Sequence, residues 1–260
     1  MGITTSLRLP MFFMHVEKTA GTSLVSLLRS AFDESKICPQ PPFGTWTWRA
    51  QEVRGYELYW GHFTGDFIEE MDPRGSRITM MRDPVDRIVS LYDYWRSHRW
   101  SHIRSALPPH PYNGPLIAKS GNLASFLTTD VEFVRERIYN RVARQVLGRR
   151  FEMLWPDQER VIAESIEALG RFDWVGIVEQ FEPSVVLLSA ALGLDTSRLS
   201  ERANSTHVRS DDDPVYERIE PTIPTEEERE RILEGNRIDI ALYTEGRKAV
   251  EDRIRLSRSA

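Results

Sequence analysis

The run Met11-Phe12-Phe13-Met14-His15-Val16 breaks off into Glu17-Lys18-Thr19-Ala20-Gly21-Thr22-Ser23, and apolar residues then resume at helical spacing with Leu24, Leu27 and Leu28. A short, continuous apolar run is the signature of a strand buried on both faces, as in a parallel sheet. The segment that follows is too polar and too small to be core. A strand feeding such a turn and then a helix places unpaired backbone N–H groups and the positive end of the helix dipole at one point, which is an anion site. Lys18 adds a full charge there, and the Thr22 and Ser23 hydroxyls add donors. The other reading is an ordinary βα loop with a helix cap.

The same sequence pattern recurs. Residues 56–63, YELYWGHF, read as a second strand ending at Gly61-His62. Residues 76–82, SRITMMR, read as a third, and DWVGIVEQF at 173–181 as a fourth. The third ends in Arg82-Asp83-Pro84, where Asp83 can cap a helix and Pro84 can take its first position. That helix carries Ile88, Leu91, Tyr92 and Trp95 on one face. Helices are expected at 123–147, 157–169 and 183–192 and near the C-terminus, where acids and bases alternate from Glu226 to Arg258 as on a solvated helix face. Loops are expected at 38–49, 107–122 and 200–214, where Pro, Gly or polar residues concentrate. Strands alternating with helices give an α/β fold: a mainly parallel sheet with helices on both faces, in a single domain over residues 1–260. In such sheets, sites form outside the carboxyl ends of the strands, where Lys18, His62 and Arg82 all fall.

Composition narrows the function classes. The formal net charge of −5 argues against a nucleic-acid binder. The one cysteine, Cys38, excludes an internal disulfide framework and a cysteine-based zinc site and suits a cytoplasmic setting. No apolar run approaches the roughly 20 residues that span a bilayer. The turn is not a Walker A loop, since Lys18 precedes the glycine, and no apolar run ends in an Asp suited to hold magnesium. The anion is therefore expected to be handled without metal.

The stretch HVEKTAGTSL resembles the 5′-phosphosulfate loop of sulfotransferases that use 3′-phosphoadenosine 5′-phosphosulfate (PAPS), especially the carbohydrate branch with the heparan 2-O- and 6-O-sulfotransferases. RDPVDRIVSLYDYWR resembles that family's 3′-phosphate motif, with Arg82 and Ser90 in the matching positions. Weaker likenesses run through GHF at 61–63, NRVARQVLG at 140–148, FDWVGIVEQF at 172–181 and NRIDIALYTEG at 236–246.

The resemblance implies a P-loop-like sheet, PAPS as donor, PAP as product, no metal, and a hydroxyl acceptor on a saccharide. It implies that Lys18 neutralises charge on the oxygen from which sulfuryl departs, and that Thr19, Ala20, Gly21, Thr22 and Ser23 hold the 5′-phosphate. Arg82 and Ser90 would read the 3′-phosphate, with Arg202 and Ser205 in the late polar loop beside them; the alternative for Arg82 is an ion pair with Asp83 or Asp86. His62 matches the His base of the 2-O and 6-O enzymes, and imidazole suits proton transfer near neutral pH. A structural histidine is the alternative. His15 and Glu17 are the competing bases, with His15, inside the apolar run, better suited to orient the loop. His15, Glu17, Arg96, Arg99, Asn140 and Arg144 are the acceptor-side candidates. The chain departs from the animal enzymes in lacking a membrane anchor and disulfide cysteines, which leaves a tyrosine, a lipid-linked sugar or a small metabolite open as acceptor. A nucleotide-dependent kinase and a non-catalytic nucleotide- or glycan-binding protein are the competing classes.

Overall fold

The computed structural model describes residues 7–41, 46–109, 112–193 and 213–258. The chain divides into two compact units, Met1–Arg82 with Val142–Ala203 and Ile238–Ala260, and Asp83–Arg141 with Asn204–Arg237.

The first unit is built on four parallel strands, β1 (Met11–Met14), β2 (Leu58–Gly61), β3 (Ser76–Met81) and β4 (Trp174–Ile177), in the order β2-β1-β3-β4. Met11 pairs with Leu58 on one side and with Ser76 on the other, so β1 is central. Its side chains alternate between two cores. Phe12 and Met14, with Tyr59, Met81, Val175 and Ile177, pack among residues of α2 (Gly65–Met71), α8 (Arg141–Leu147), α9 (Arg149–Leu154), α10 (Gln158–Leu169) and α13 (Arg237–Arg258). Met11 and Phe13, with Leu58, Ile78, Met80 and Trp174, pack against α1 (Gly21–Arg29) and α11 (Phe181–Leu192). Both faces are covered, which is why β1, β2 and β4 read as short apolar runs, while β3 buries Ser76, Arg77 and Thr79 among its apolar residues. The α/β architecture is the one expected.

The strand order reverses direction between β1 and β3, since β1 leads on to β2 on one side while β3 and β4 lie on the other. The segments leaving the carboxyl ends of β1 and β3 therefore flank the crevice where ligands bind in open α/β sheets. Those segments begin at His15 and Arg82.

The second unit is helical: α3 (Pro84–Arg96), α4 (Trp100–Ala106), α5 (Gly114–Ser120), α6 (Leu123–Leu127), α7 (Glu132–Ile138) and α12 (Glu226–Gly235). Val85, Ile88, Leu91, Tyr92 and Trp95 of α3 form its core with Phe126, Val134, Ile138 and Ile232. As expected, Asp83 caps α3, its Oδ1 accepting from the N–H groups of Val85 and Asp86 at 2.9 and 3.2 Å, with Pro84 in the first turn.

Three sequence expectations are corrected. Residues 107–122 are not one loop, because α5 forms there. Asn113 accepts from the Leu116 N–H at 2.9 Å, and Pro115 sits in the first turn, where a missing N–H does no harm. The helix expected over 123–147 is three helices, broken around Thr128–Asp130 and again at Asn140. Asn140 takes φ of 49°, donates its N–H to Asn236 Oδ1 at 2.8 Å, and donates its side-chain amide to the Gly235 carbonyl at 3.1 Å. The C-terminal helix is likewise two, divided at Asn236.

Candidate active site

The turn after β1 is tightly wound. Lys18 and Ala20 adopt left-handed backbone conformations, φ 66° and 57°, and each costs a residue with a Cβ about 1–2 kcal/mol. Thr19, fully buried between them, donates its hydroxyl to the Val16 carbonyl at 2.9 Å. Its side chain thus closes the turn from within, leaving its N–H as what it can offer a ligand. Ala20 is the N-cap of α1 and supplies no side-chain acceptor to the first-turn N–H groups. Thr22 is exposed and Ser23 half-buried in that first turn.

Gly21 lies where no side chain fits. A methyl group built on it would sit 1.9 Å from His15 Nε2. Gly21→Ala is therefore expected to expel the His15 ring and to destabilise the protein by about 1–3 kcal/mol, read by urea unfolding. Wild-type stability in this variant would contradict the close packing of His15 on the start of α1.

His62 follows β2, and its Nδ1 lies 2.7 Å from the His15 carbonyl. A carbonyl can only accept, so Nδ1 carries the hydrogen, and the neutral ring keeps its lone pair on Nε2. The two imidazoles face each other at 4.6 Å between centroids and 31° between planes, and His15 also stacks on Phe13 at 5.5 Å. His15 is further held by its N–H, which donates to the Gly61 carbonyl at 2.8 Å. Gln145 of α8 donates from Nε2 to the His15 carbonyl at 3.0 Å and to the Phe63 carbonyl at 2.9 Å. Arg82, the first residue beyond β3, reaches back to donate to the Lys18 carbonyl at 3.4 Å. The sheet end thus gathers the Lys18 turn, the start of α1, His15, His62 and Arg82.

A model of the sulfotransferase family matches residues 2–244. The chain belongs to the sulfotransferase family. The match takes in residues of both units, and no curated protein matches the chain. The sulfotransferase transfers a sulfuryl group to a hydroxyl-bearing acceptor.

The remaining expected site residues of the sulfotransferase are differently placed. Glu17 is half-buried in the turn itself. Ser90 is half-buried on α3 in the second unit, and Arg202 and Ser205 lie outside the described residues. Arg96 donates to the Asp93 carboxylate at 2.9 Å and to the Glu220 carbonyl, and Arg99 Nε donates to the Asp213 carbonyl at 2.7 Å, all within the second unit. Asn140 is buried in the contacts that break the helix. Arg144 lies over the Phe151 ring at 4.3 Å and pairs with Glu152. These contacts hold Arg96, Arg99, Asn140 and Arg144 in the framework.

Gln145 was not among the expected residues, although a Gln among Val142, Ala143, Val146 and Leu147 on a buried helix face is a readable signal. Cys38 is buried, which pushes its thiol up to about 12 and keeps it protonated and unreactive. Among the described residues no cluster of His, Cys, Asp and Glu could hold a metal ion, and no helix is long and apolar enough to cross a membrane.

Proposed function

We propose that this sulfotransferase draws its sulfuryl group from PAPS and delivers it to a saccharide hydroxyl, with His62 as general base. The observation that carries the reading is the meeting of the Lys18 turn and Arg82 where the strand order reverses. The residues present suit an anionic nucleotide: a helix start without a side-chain cap, a lysine in its approach, and a guanidinium from the neighbouring strand. When bound, PAPS supplies the sulfuryl group and a 3′-phosphate.

Backbone N–H groups from Thr19 to Ser23, with the Thr22 and Ser23 hydroxyls, hold the 5′-phosphate. Lys18 places positive charge at the oxygen that gains negative charge as sulfuryl departs, a contact stronger in the transition state than before it. Arg82 offers a fork of donors to the 3′-phosphate. For Ser90, Arg202 and Ser205, support comes from the motif resemblance alone. His62 Nε2 takes the proton of the attacking hydroxyl, while Nδ1–H stays on the His15 carbonyl. Charge neutralisation is assigned to Lys18 and Arg82, so the reading needs no metal. The saccharide acceptor is supported by the carbohydrate-branch likeness of HVEKTAGTSL, and a cytoplasmic setting by the lone cysteine.

PAP is expected to raise the melting temperature with EDTA present, since a ligand of the folded state stabilises it. Arg82→Ala should cost PAP about 1.5–3 kcal/mol of binding and adenosine 5′-phosphosulfate far less, because only PAP carries the 3′-phosphate. Stabilisation by magnesium–ATP and not by PAP would contradict the proposal in favour of a kinase.

A further inference from the structure

A single buried amide holds both sides of the hydrogen bond that orients His62. Gln145 has no exposed surface, and its Nε2 donates to the His15 and Phe63 carbonyls. His15 supplies the carbonyl on which His62 Nδ1 rests, and Phe63 is the residue that follows His62. The amide has one workable orientation, because turning it over would set Oε1 against two carbonyl oxygens with no hydrogen between them. Oε1 is consequently left buried without a hydrogen-bond partner. That arrangement costs stability, and an apolar side chain of similar size would avoid the cost on this face of α8. What Gln145 adds is its two donors.

The helix that carries it is fixed independently. Asp239 of α13 accepts from the N–H groups of Val142 and Ala143 at 3.0 and 2.9 Å, capping α8 from a distance. At the other end, a methyl group on Gly65 would lie 2.2 Å from the Val146 carbonyl, so α2 and α8 touch backbone to backbone. Just beyond α8, Asp66 accepts from the Arg149 N–H at 2.8 Å. An amide on so fixed a helix is a stable reference point for the two loops it joins.

We propose that Gln145 is the positioning residue of the general base: by tying the His15 carbonyl to the segment after His62, it holds His62 as the Nδ1–H tautomer with Nε2 as proton acceptor. The proposal rests on the assignment of His62 as base, and its test separates the two. Protein labelled with nitrogen-15 at histidine is compared as wild type, Gln145→Met and Gln145→Leu, the His62 signals being those lost in His62→Ala. Wild type should show the Nδ1–H tautomer of His62, and either folded variant a mixture of tautomers, with PAP affinity held within about twofold. Turnover should fall by about 10²-fold, the scale of a catalytic group misplaced by about an ångström, with an altered pH–rate profile. An Nε2–H tautomer in the wild type overturns the proposal without recourse to any variant. An unchanged tautomer and pH–rate profile in a folded variant also overturns it, as does an equal fall in PAP affinity and turnover. A fully active His62→Ala enzyme would remove the base assignment alone, because the tautomer comparison still decides what Gln145 does.

Discussion

His62→Ala is expected to lower turnover by about 10²–10⁴-fold while PAP affinity stays nearly unchanged. The separation follows from where the residue stands. His62 is attached to the Lys18 turn through the His15 carbonyl, and its ring is no part of the anion site proposed for the Lys18 turn, the start of α1 and Arg82. Removing the ring leaves that framework in place and takes away the Nε2 lone pair. PAP release with a competent acceptor measures the rate, and calorimetric titration with PAP measures the binding. An active variant with the wild-type pH–rate profile would exclude His62, and Glu17→Gln would then be compared in the same two assays.

Lys18→Ala should fail in both assays. Its charge is assigned to the nucleotide in the bound state and, more strongly, at the departing oxygen, so PAP affinity falls and turnover falls further, by about 10²–10³-fold. Because Lys18 holds φ of 66°, the loss of charge can be separated from backbone strain. Lys18→Gly relieves the left-handed conformation and should be more stable than Lys18→Ala by about 1 kcal/mol in urea unfolding, yet equally slow. Recovery of turnover in the glycine variant would mean that loop geometry, and not charge, is what Lys18 provides.

The sheet was readable from the sequence because its strands are buried on both faces. MFFM, LYWG and WVGI have no polar alternation to blur them, and in SRITMM the buried Ser76, Arg77 and Thr79 still leave Ile78, Met80 and Met81 as an apolar run that stops where the chain leaves the sheet. The small, polar turn after β1 and the Asp83-Pro84 helix start were legible for the same local reason. What escaped depended on side-chain contacts, near and far, that the residue pattern does not show. Asn140 looks like one more helical polar residue until the Asn236 side chain and the Gly235 carbonyl accept hydrogen bonds from it around its left-handed backbone. Pro115 and Gly114 look like loop residues until Asn113 caps the helix they begin. Arg144 looks free to bind an acceptor until Phe151 and Glu152 are brought beneath it. That the Thr19 hydroxyl closes the turn on the Val16 carbonyl was not legible either. The burial of Gln145 was readable from its apolar neighbours on α8, but its partners, the His15 and Phe63 carbonyls, were not.

The most direct measurement is transfer itself. Wild-type protein is incubated with sulfur-labelled PAPS and a panel of hydroxyl-bearing saccharides, EDTA present, with labelled ATP and magnesium in parallel. Label is expected on a saccharide hydroxyl, with PAP released in equal amount and both lost in Lys18→Ala and His62→Ala. Phosphoryl transfer from ATP with no sulfuryl transfer from PAPS would contradict that expectation.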